Sequence, residues 1–133
     1  MAIQLSTTVR NARLDQIETT VGTSAVLKLK TGSPPANCAA ADSGTVIISY
    51  TLASDWAAAA AAGAKSFSSL PLVGAAIATG TLGHYRLYAA DGTTCHMQGT
   101  IATSGGDMTV DNTSVNIAQT VNVTSWSIAD GNA

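Results

Sequence analysis

The clearest alternation of hydrophobic and polar positions lies between residues 83 and 101. In two stretches there, hydrophobic and polar residues alternate, which is typical of β-strands that bury one face. Asp91 and Gly92 lie between the two stretches, and an Asp-Gly pair between alternating runs is a strong hairpin signal. The pattern therefore predicts a β-hairpin.

The faces of the two strands predict the form of the turn, because directly opposed residues project to the same side. A two-residue loop would mix apolar and polar sides. A three-residue loop with Gly92 in the left-handed conformation pairs Leu87 with Cys95 and keeps the sides consistent. We therefore expect Cys95 to point inward and His96 to lie beside Arg86 on the opposite face.

One long helix is predicted over residues 6–21. Ser6 is a suitable N-cap and Gly22 provides the left-handed exit. The apolar positions that recur near one helical turn are Val9, Ala12, Ile17 and Val21, and the polar side carries Arg10, Asn11, Asp15 and Glu18.

Strands are also predicted over residues 24–30, 45–52, 75–81, 107–111 and 119–129. In the first of these, Lys28 and Lys30 form a charged outer face that discourages edge pairing. In the last, the apolar positions change face, which predicts a bulge near residues 124–125 or a face turned to a partner. Val115 and Ile117 continue the inward alternation.

Two segments between these strands have a different character. Residues 31–44 are rich in Pro, Gly and small polar residues and predict a long loop. The alanine run after Ser54 predicts a short helix over residues 55–62, which needs Trp56 to be packed against the rest of the chain.

This order of elements predicts a mainly β fold: an antiparallel β-sandwich of the jelly-roll type with an N-terminal α-helix. We divide the chain into a helical arm, residues 1–22, and a β-sandwich domain, residues 23–133, within one structural domain. A chain of 133 residues is long enough to bury a core without metals or a disulfide framework.

Composition narrows the classes of partner. Only 11% of the residues are charged, the formal net charge is −2, and the six basic residues form no cluster that could follow phosphates. We therefore expect no nucleic acid partner. The N-terminus lacks a secretory pattern and no apolar run is long enough to span a bilayer, so we expect no membrane partner and assembly in a cytoplasm. A weakly charged surface suits a subunit that is packed among neighbours.

Candidate chemistry is sparse. His84 and His96 fall on one face of the expected hairpin, where they could help to bind a metal or be surface or interface histidines, and we favour the second interpretation. The eight acidic residues lie mostly in caps and turns, although Asp107 and Asp111 could flank a calcium site. No nucleophile elbow or phosphate loop is present. We expect no enzymatic activity, no cofactor and no metal, and we leave a bridge between Cys38 and Cys95 open.

Three aromatic residues are candidates for exposed contact sites. Trp56, Tyr88 and Trp126 could stack on a sugar from the rim of a sandwich, or could be buried in the core or at an interface between subunits. For Trp126 we favour burial. The candidate interface residues taken together are Arg10, Arg13, His84, Arg86, Tyr88, His96 and Trp126.

Three segments carry a resemblance to a known class of proteins. The N-terminal segment MAIQLST-VRNARLD-IET, the loop PPANCAAADSG and the hairpin GHYRLYAADGTTCH together resemble small virion structural proteins of tailed bacteriophages. The resemblance extends over almost the whole chain and carries no catalytic residues. It implies a capsid decoration, or cement, protein that forms a homo-oligomer, bridges major capsid or other virion proteins and resides in the virion. The alternatives are a neck or tail accessory ring subunit and a glycan- or receptor-binding fibre module.

Overall fold

The computed structural model describes residues 3–131, which form a mainly β fold with one N-terminal helix. The elements in chain order are α1 (Thr7–Val21), β1 (Val26–Thr31), β2 (Val46–Thr51), β3 (Ala64–Ser66), β4 (Leu72–Ala75), β5 (Gly80–Tyr88), β6 (Cys95–Ala102), β7 (Met108–Val110), β8 (Ser114–Val115) and β9 (Thr120–Ala129).

The strands form one strongly curled sheet in the order β2-β1-β5-β6-β7-β9-β3, with β4 paired to β9 and β8 paired to β5. All pairs are antiparallel except β6 with β7. The sheet curls so far that the Ile77 amide, just beyond β4, donates to the Ile47 carbonyl on β2 at 2.8 Å. This half-barrel encloses the core as two packed layers do, and it confirms the prediction of a mainly β, sandwich-like fold with an N-terminal helix.

An aromatic stack fills one end of the core. Phe67 lies between Trp56 and Trp126, with ring centroids 5.2 and 3.3 Å away, and the Tyr85 ring meets Trp126 edge-on. The inward residues of β1 and β5, Leu27, Leu29 and Leu87, are fully buried beside it. Four of the six aromatic residues of the chain thus pack against one another in the core.

Helix α1 has the predicted ends, and of its predicted apolar face only the C-terminal half packs on the core. The Ser6 hydroxyl accepts a hydrogen bond from the Val9 amide at 3.2 Å, and Gly22 ends the helix with φ of +86°. Of the expected apolar face, however, Val9 is 45% exposed and only Val21 is fully buried. Ile17 and Val21 pack against the core, and buried Leu14 and the polar side of the helix add further contacts.

The alanine run does not form the predicted helix. Residues 55–62 are irregular and largely extended, and this segment lies along α1. Side-chain oxygens of the helix accept hydrogen bonds from its backbone amides, and burial of Trp56 and Ala57 holds it in the core. Tertiary contacts therefore override the high helix propensity of alanine.

The hairpin is confirmed, but its predicted register is wrong. Tyr88 pairs with Cys95 and Leu87 with Met97, so the extra residue is His96, within β6, rather than Gly92 in the turn. The turn is a four-residue loop, closed by the Ala89 amide donating to the Thr94 carbonyl at 3.0 Å. Cys95 consequently lies on the same face as Tyr88 and not in the core.

The remaining strand predictions are met in part. The bulge in β9 lies at Thr124, as predicted, because Ser125 pairs with Thr109 and Val123 with Val110. The strand expected over residues 75–81 is not continuous: β4 ends at Ala75, β5 begins at Gly80, and residues 76–79 between them are not in a strand. Ile117 is 64% exposed and does not continue the inward alternation.

Candidate functional site

The largest concentration of buried polar groups lies between the 31–44 loop and the outer face of β1, β5 and β6. On this face Lys28 pairs with Arg86, Lys30 with His84, and Val26 with Tyr88. The face is not the exposed, charged edge that the two lysines predicted, because β1 is a central strand and Lys30 is only 2% exposed. The loop covers it.

Arg86 fixes the path of the loop. Its guanidinium is 2% exposed and donates to the carbonyl oxygens of Asn37, Cys38 and Ala40 at 2.9 to 3.2 Å, and to the Asp42 carboxylate. The three carbonyl oxygens share the two N–H groups of Nη2, and Nη1 donates to Asp42, so one side chain contacts several loop groups at once. The loop is thereby attached to the sheet.

Asp42 is the single carboxylate that serves this cluster. It accepts hydrogen bonds from the Tyr88 hydroxyl at 2.7 and 2.8 Å and pairs with Lys30 Nζ at 3.1 Å as well as with Arg86. Burial acts to raise the pKa of Asp42, but hydrogen bonds from Tyr88, Lys30 and Arg86 outweigh it and lower the pKa to about 2. We call Lys30, Asp42, Arg86 and Tyr88 the loop anchor.

The Asp42 carboxylate has the opposite effect on its partners, because it raises their pKa values. Burial, followed by the hydrogen bond to Asp42, raises the pKa of Tyr88 above its ordinary range. The pKa of Arg86 is raised as well, because ion pairing with Asp42 outweighs the cost of burial. Tyr88 and Arg86 therefore keep their protons, and the loop anchor holds one anion against two cations and a neutral hydroxyl.

Two more contacts press the loop onto the sheet. His84 is fully buried, and its Nδ1 lies 2.8 Å from the Gly32 carbonyl oxygen. Gly83 permits this approach, because a Cβ at that position would lie 2.2 Å from the same oxygen. The Gln98 side-chain amide donates to the Pro35 carbonyl at 2.5 Å.

The two cysteines also meet under the loop. Cys38 Sγ lies 2.8 Å from Cys95 Sγ, and both residues are free thiols of intermediate burial. Burial, followed by the interaction with Cys95, raises the pKa of the Cys38 thiol to about 11. Cys38 is therefore protonated at neutral pH.

A second polar cluster joins α1 to the extended segment that follows β2. The side-chain oxygens of Asn11, Asp15 and Glu18 accept hydrogen bonds from the amides of Gly63, Ala60 and Ala57 at 2.9, 2.8 and 3.1 Å. These helical residues are three or four positions apart and so lie on one face. Here the polar side of the helix contacts the domain, in addition to the core contacts of Ile17 and Val21 on its apolar side.

Lys65 completes this cluster. Its ammonium group contacts Asp15 at 2.9 Å, Glu18 at 3.0 Å and the Ala58 carbonyl at 2.9 Å, and its side chain is 3% exposed. The hydrogen bonds to the two carboxylates outweigh burial and raise the pKa of Lys65, whereas the pKa of Asp15 is lowered by the bond from Lys65 and then by that from the Ala60 amide. We call Asn11, Asp15, Glu18 and Lys65 the helix anchor.

A cleft of about 500 Å³ opens beside the helix anchor. It is lined by Asp15, Glu18, Asp55, Lys65 and small neutral residues of the neighbouring segments. The ammonium group of Lys65 is already bonded to two carboxylates and to a carbonyl. The charges of Asp15, Glu18 and Lys65 are thus paired within the chain, and Asp55 is exposed at the edge of the cleft.

The structure separates the two histidines that the sequence placed on one face. His84 is buried beneath the loop, whereas His96, the bulged residue, is exposed and lies beside Arg13, Gln16 and Ile17 of α1. Their expected proximity is therefore wrong. The predicted neighbour of His96, Arg86, pairs with Gln98 instead.

The candidate interface residues are mostly internal. His84, Arg86, Tyr88 and Trp126 are each at most 2% exposed, so their side chains offer no surface to a partner. The two helix candidates join α1 to the end of β9. Arg10 Nη1 donates to the Asp130 carbonyl at 3.0 Å, and Arg13 pairs with the Asp130 carboxylate at 3.2 Å while its side chain remains 59% exposed.

The aromatic residues considered for sugar stacking are buried as well. Trp56 is 3% exposed, Tyr88 1% and Trp126 1%, and the two tryptophans belong to the core stack. The burial favoured for Trp126 is confirmed as core burial, and none of the three rings offers a face to a sugar.

The turn carboxylates are used by nearby backbone groups. Asp107 accepts hydrogen bonds from the Thr100 amide and hydroxyl at 2.8 Å, and Asp111 accepts them from the Asn122 amide and side chain at 3.0 and 2.6 Å. Within residues 3–131, no group of three or more His, Cys, Asp or Glu side chains is arranged to hold a metal ion. In the same range, no helix is long and apolar enough to cross a bilayer.

The sequence contained one usable signal for these clusters. Lys30 and Arg86 are cations at positions that alternate with core residues, and a buried cation requires an acidic partner. Lys65 lies between two exposed residues and carries no such signal. The partners themselves, Asp42 in a loop and Asp15 on a helix, have no distinctive spacing. Only the folded chain brings them together.

No family model, no curated protein and no solved structure matches this chain. The site is therefore interpreted from its own geometry.

Proposed function

We propose that this chain is a non-catalytic structural subunit of a tailed-bacteriophage virion, most specifically a capsid decoration protein that bridges and stabilises neighbouring shell subunits. The sequence resemblance to phage virion proteins motivates the proposal. The observation that carries it is that buried cations occur together with exposed large aliphatic side chains.

The chain buries half of its cations and exposes several large aliphatic side chains. Three of the six basic residues, Lys30, Lys65 and Arg86, are at most 3% exposed. The large hydrophobic residues that remain exposed by 45–85% are Ile3, Val9, Val73, Ile77 and Ile117. Charge that would keep a free monomer soluble is used internally, and apolar groups are left for a partner to cover.

Two of the exposed residues lie on neighbouring segments at one end of the half-barrel. The Ala118 amide donates to the Ala76 carbonyl at 2.7 Å, and the Ile117 amide to the Thr79 hydroxyl at 2.9 Å, which brings residues 76–79 alongside residues 117–119. Ile77 and Ile117 are 62% and 64% exposed there. We call Ile77 and Ile117 the rim patch, and we propose that it faces the shell.

The buried anchors fit the same role. A decoration subunit must keep its shape under mechanical load from a pressurised shell. The loop anchor attaches the 31–44 loop to the sheet, and the helix anchor attaches residues 57–63 to α1, in both cases through charged hydrogen bonds. Ile3, ahead of α1, and Val9, on α1, are two further exposed apolar residues, and we propose that they contact a neighbouring subunit of the homo-oligomer or of the shell.

The direct test uses particles with and without the protein. Particles that lack it should release DNA on heating or chelation sooner than complete particles, and re-addition of the purified chain should restore survival. Equal survival would contradict the decoration role. Counting copies separates the runner-up, since a shell protein is present in hundreds of copies and a neck or tail ring in about six or twelve.

The surface is tested with a rim variant and a matched control. Ile77→Asp/Ile117→Asp should fold with an unchanged melting temperature but bind undecorated shells at least about tenfold more weakly, because each charge would have to be desolvated at the interface. Ser104→Asp, in an exposed turn, should bind like the unmodified chain. Equal binding of the rim variant and this control would exclude the rim patch as the contact surface.

A further inference from the structure

We propose that Cys38 and Cys95 form a redox-responsive disulfide site that covalently closes the 31–44 loop onto strand β6. The inference concerns the chain itself and does not depend on a virion role. It rests on the placement of the two thiols, on the way the loop is held, and on the nature of their surroundings.

The first support is the mutual placement of the sulfurs. The Sγ atoms are 2.8 Å apart although the residues are 57 positions apart in the chain. A disulfide needs about 2.05 Å, so the sulfurs must approach by only about 0.8 Å. The bulge at His96 produces this placement, because it turns Cys95 to the loop side of the sheet.

The second support is that the loop holds Cys38 in place without any help from sulfur. Arg86 donates to the carbonyl oxygen of Cys38 itself and to those of Asn37 and Ala40, which lie on either side of Cys38 in the chain. Asp42 and Gln98 attach the loop on either side of this contact. The thiols are therefore already adjacent in the reduced protein, which gives closure a high effective concentration.

The third support is that the pair fits disulfide chemistry better than the other chemistries open to two cysteines. Metal binding by a structural zinc site needs about four ligands, and no cluster of three or more potential ligands exists within the described part of the chain. Both cysteines are residues of intermediate burial and not part of the sealed core, which leaves the pair near the surface. The chain contains no other cysteine that could compete.

The chemical step is a two-stage exchange with a small-molecule disulfide such as oxidised glutathione. One protein thiol loses its proton and its sulfur attacks the glutathione disulfide, which breaks that bond, forms a mixed disulfide and releases one glutathione. The second protein thiolate then attacks the mixed disulfide and releases the other glutathione. The protein loses two electrons and two protons, and the glutathione disulfide gains them.

The site would respond to compartment and to pH. In a reducing cytoplasm the pair stays as thiols, and in an oxidising medium it closes. Thiolate is the attacking species, and burial raises the pKa of Cys38 to about 11. Closure should therefore become faster as pH rises from about 7 to about 9.

The test treats the purified full chain with oxidised glutathione or with dithiothreitol. After oxidation, the number of titratable thiols should fall from two to none, the intact mass should fall by the mass of two hydrogens, and peptide mapping should join the Cys38 and Cys95 peptides. The melting temperature should rise by about 10 °C relative to the reduced chain. Dithiothreitol should reverse all four changes.

Cys38→Ser and Cys95→Ser are the matched controls, and neither should gain thermal stability on oxidation. Two thiols that persist in the unmodified chain, a stable glutathione adduct in place of the internal bond, or a disulfide-linked dimer on a non-reducing gel would each overturn the proposal. Closure without a change in melting temperature would also overturn it, since the loop would then not be constrained by the bond.

Discussion

The loop anchor and the helix anchor both pair buried cations with carboxylates, but in opposite ratios. In the loop anchor one carboxylate, Asp42, serves two buried cations, whereas in the helix anchor two carboxylates, Asp15 and Glu18, serve the single cation Lys65. The first depends on one acidic side chain. The helix anchor has two carboxylates, so it depends less on either one of them, but it depends on the single cation Lys65.

This difference indicates which of the two anchors is more sensitive to the loss of one side chain. A buried cation that loses its partner cannot turn to water, whereas a partly exposed carboxylate that loses its partner can be hydrated. Asp42 holds residues that are 2% exposed, while Asp15 and Glu18 are themselves 46% and 20% exposed. We therefore expect removal of the Asp42 carboxylate from the loop anchor to lower the free energy of unfolding more than removal of the Lys65 ammonium group from the helix anchor.

The largest effect is expected for Asp42→Ala, which leaves Lys30 and Arg86 buried and unpaired. The free energy of unfolding should fall by about 3 kcal/mol, at the lower end for a broken buried pair because Asp42 is itself partly exposed. Urea unfolding measures the change. Asp55→Ala, at an exposed position, is the control and should change the free energy by less than about 0.5 kcal/mol. A loss in Asp42→Ala no greater than in this control would remove the distinction between the anchors.

A smaller effect is expected for Lys65→Met. The methionine keeps much of the buried volume, and the two carboxylates that lose their partner can be hydrated, so the free energy of unfolding should fall by about 2 kcal/mol. Arg13→Met, which removes an exposed ion pair with Asp130, should change it by less than about 0.5 kcal/mol. If Lys65→Met destabilises the chain more than Asp42→Ala does, the proposed ranking of the anchors is reversed.

The smallest effect is a pH dependence that belongs to Asp42. Its pKa is about 2 in the folded chain and near 3.8 without the fold, so the unfolded state takes up the proton first. The stabilisation is complete above about pH 4 and is lost as pH falls toward 2. Other carboxylates with lowered pKa values, such as Asp107 and Asp111, add a dependence of the same sign.

The contribution of Asp42 is isolated by comparison with Asp42→Asn. Urea midpoints between about pH 5 and pH 2.5 should fall more steeply for the unmodified chain than for the variant, which has no proton to gain at this position. Parallel slopes would mean that the carboxylate is not selectively stabilised in the folded chain.

Local patterns in the sequence predicted most of the elements. Ser6 and Gly22 delimit α1, and the change of face in β9 predicted the bulge found at Thr124. These features depend on residues a few positions apart, so they can be read from the chain directly. The alanine run failed because its backbone amides bond to side chains of α1, far away in sequence, instead of to one another.

The candidate site was less accessible to sequence reasoning. Arg86 and Tyr88 were correctly placed on the face away from the apolar side of the hairpin, but that face was expected to meet a partner. The 31–44 loop of the same chain covers it instead. The register error at Cys95 arose because one bulged residue, His96, turns every preceding position of the strand to the other side.

The sequence by itself determined the mainly β class, the N-terminal helix with its two ends, and the positions of the principal strands, because periodicity and capping are local properties of the chain. Tertiary structure alone decided which carboxylate meets which buried cation, which face of α1 packs on the domain, and that Cys38 meets Cys95. Those contacts join residues tens of positions apart, and their energies depend on desolvation and geometry that exist only once the sheet has curled and the loop has closed over it.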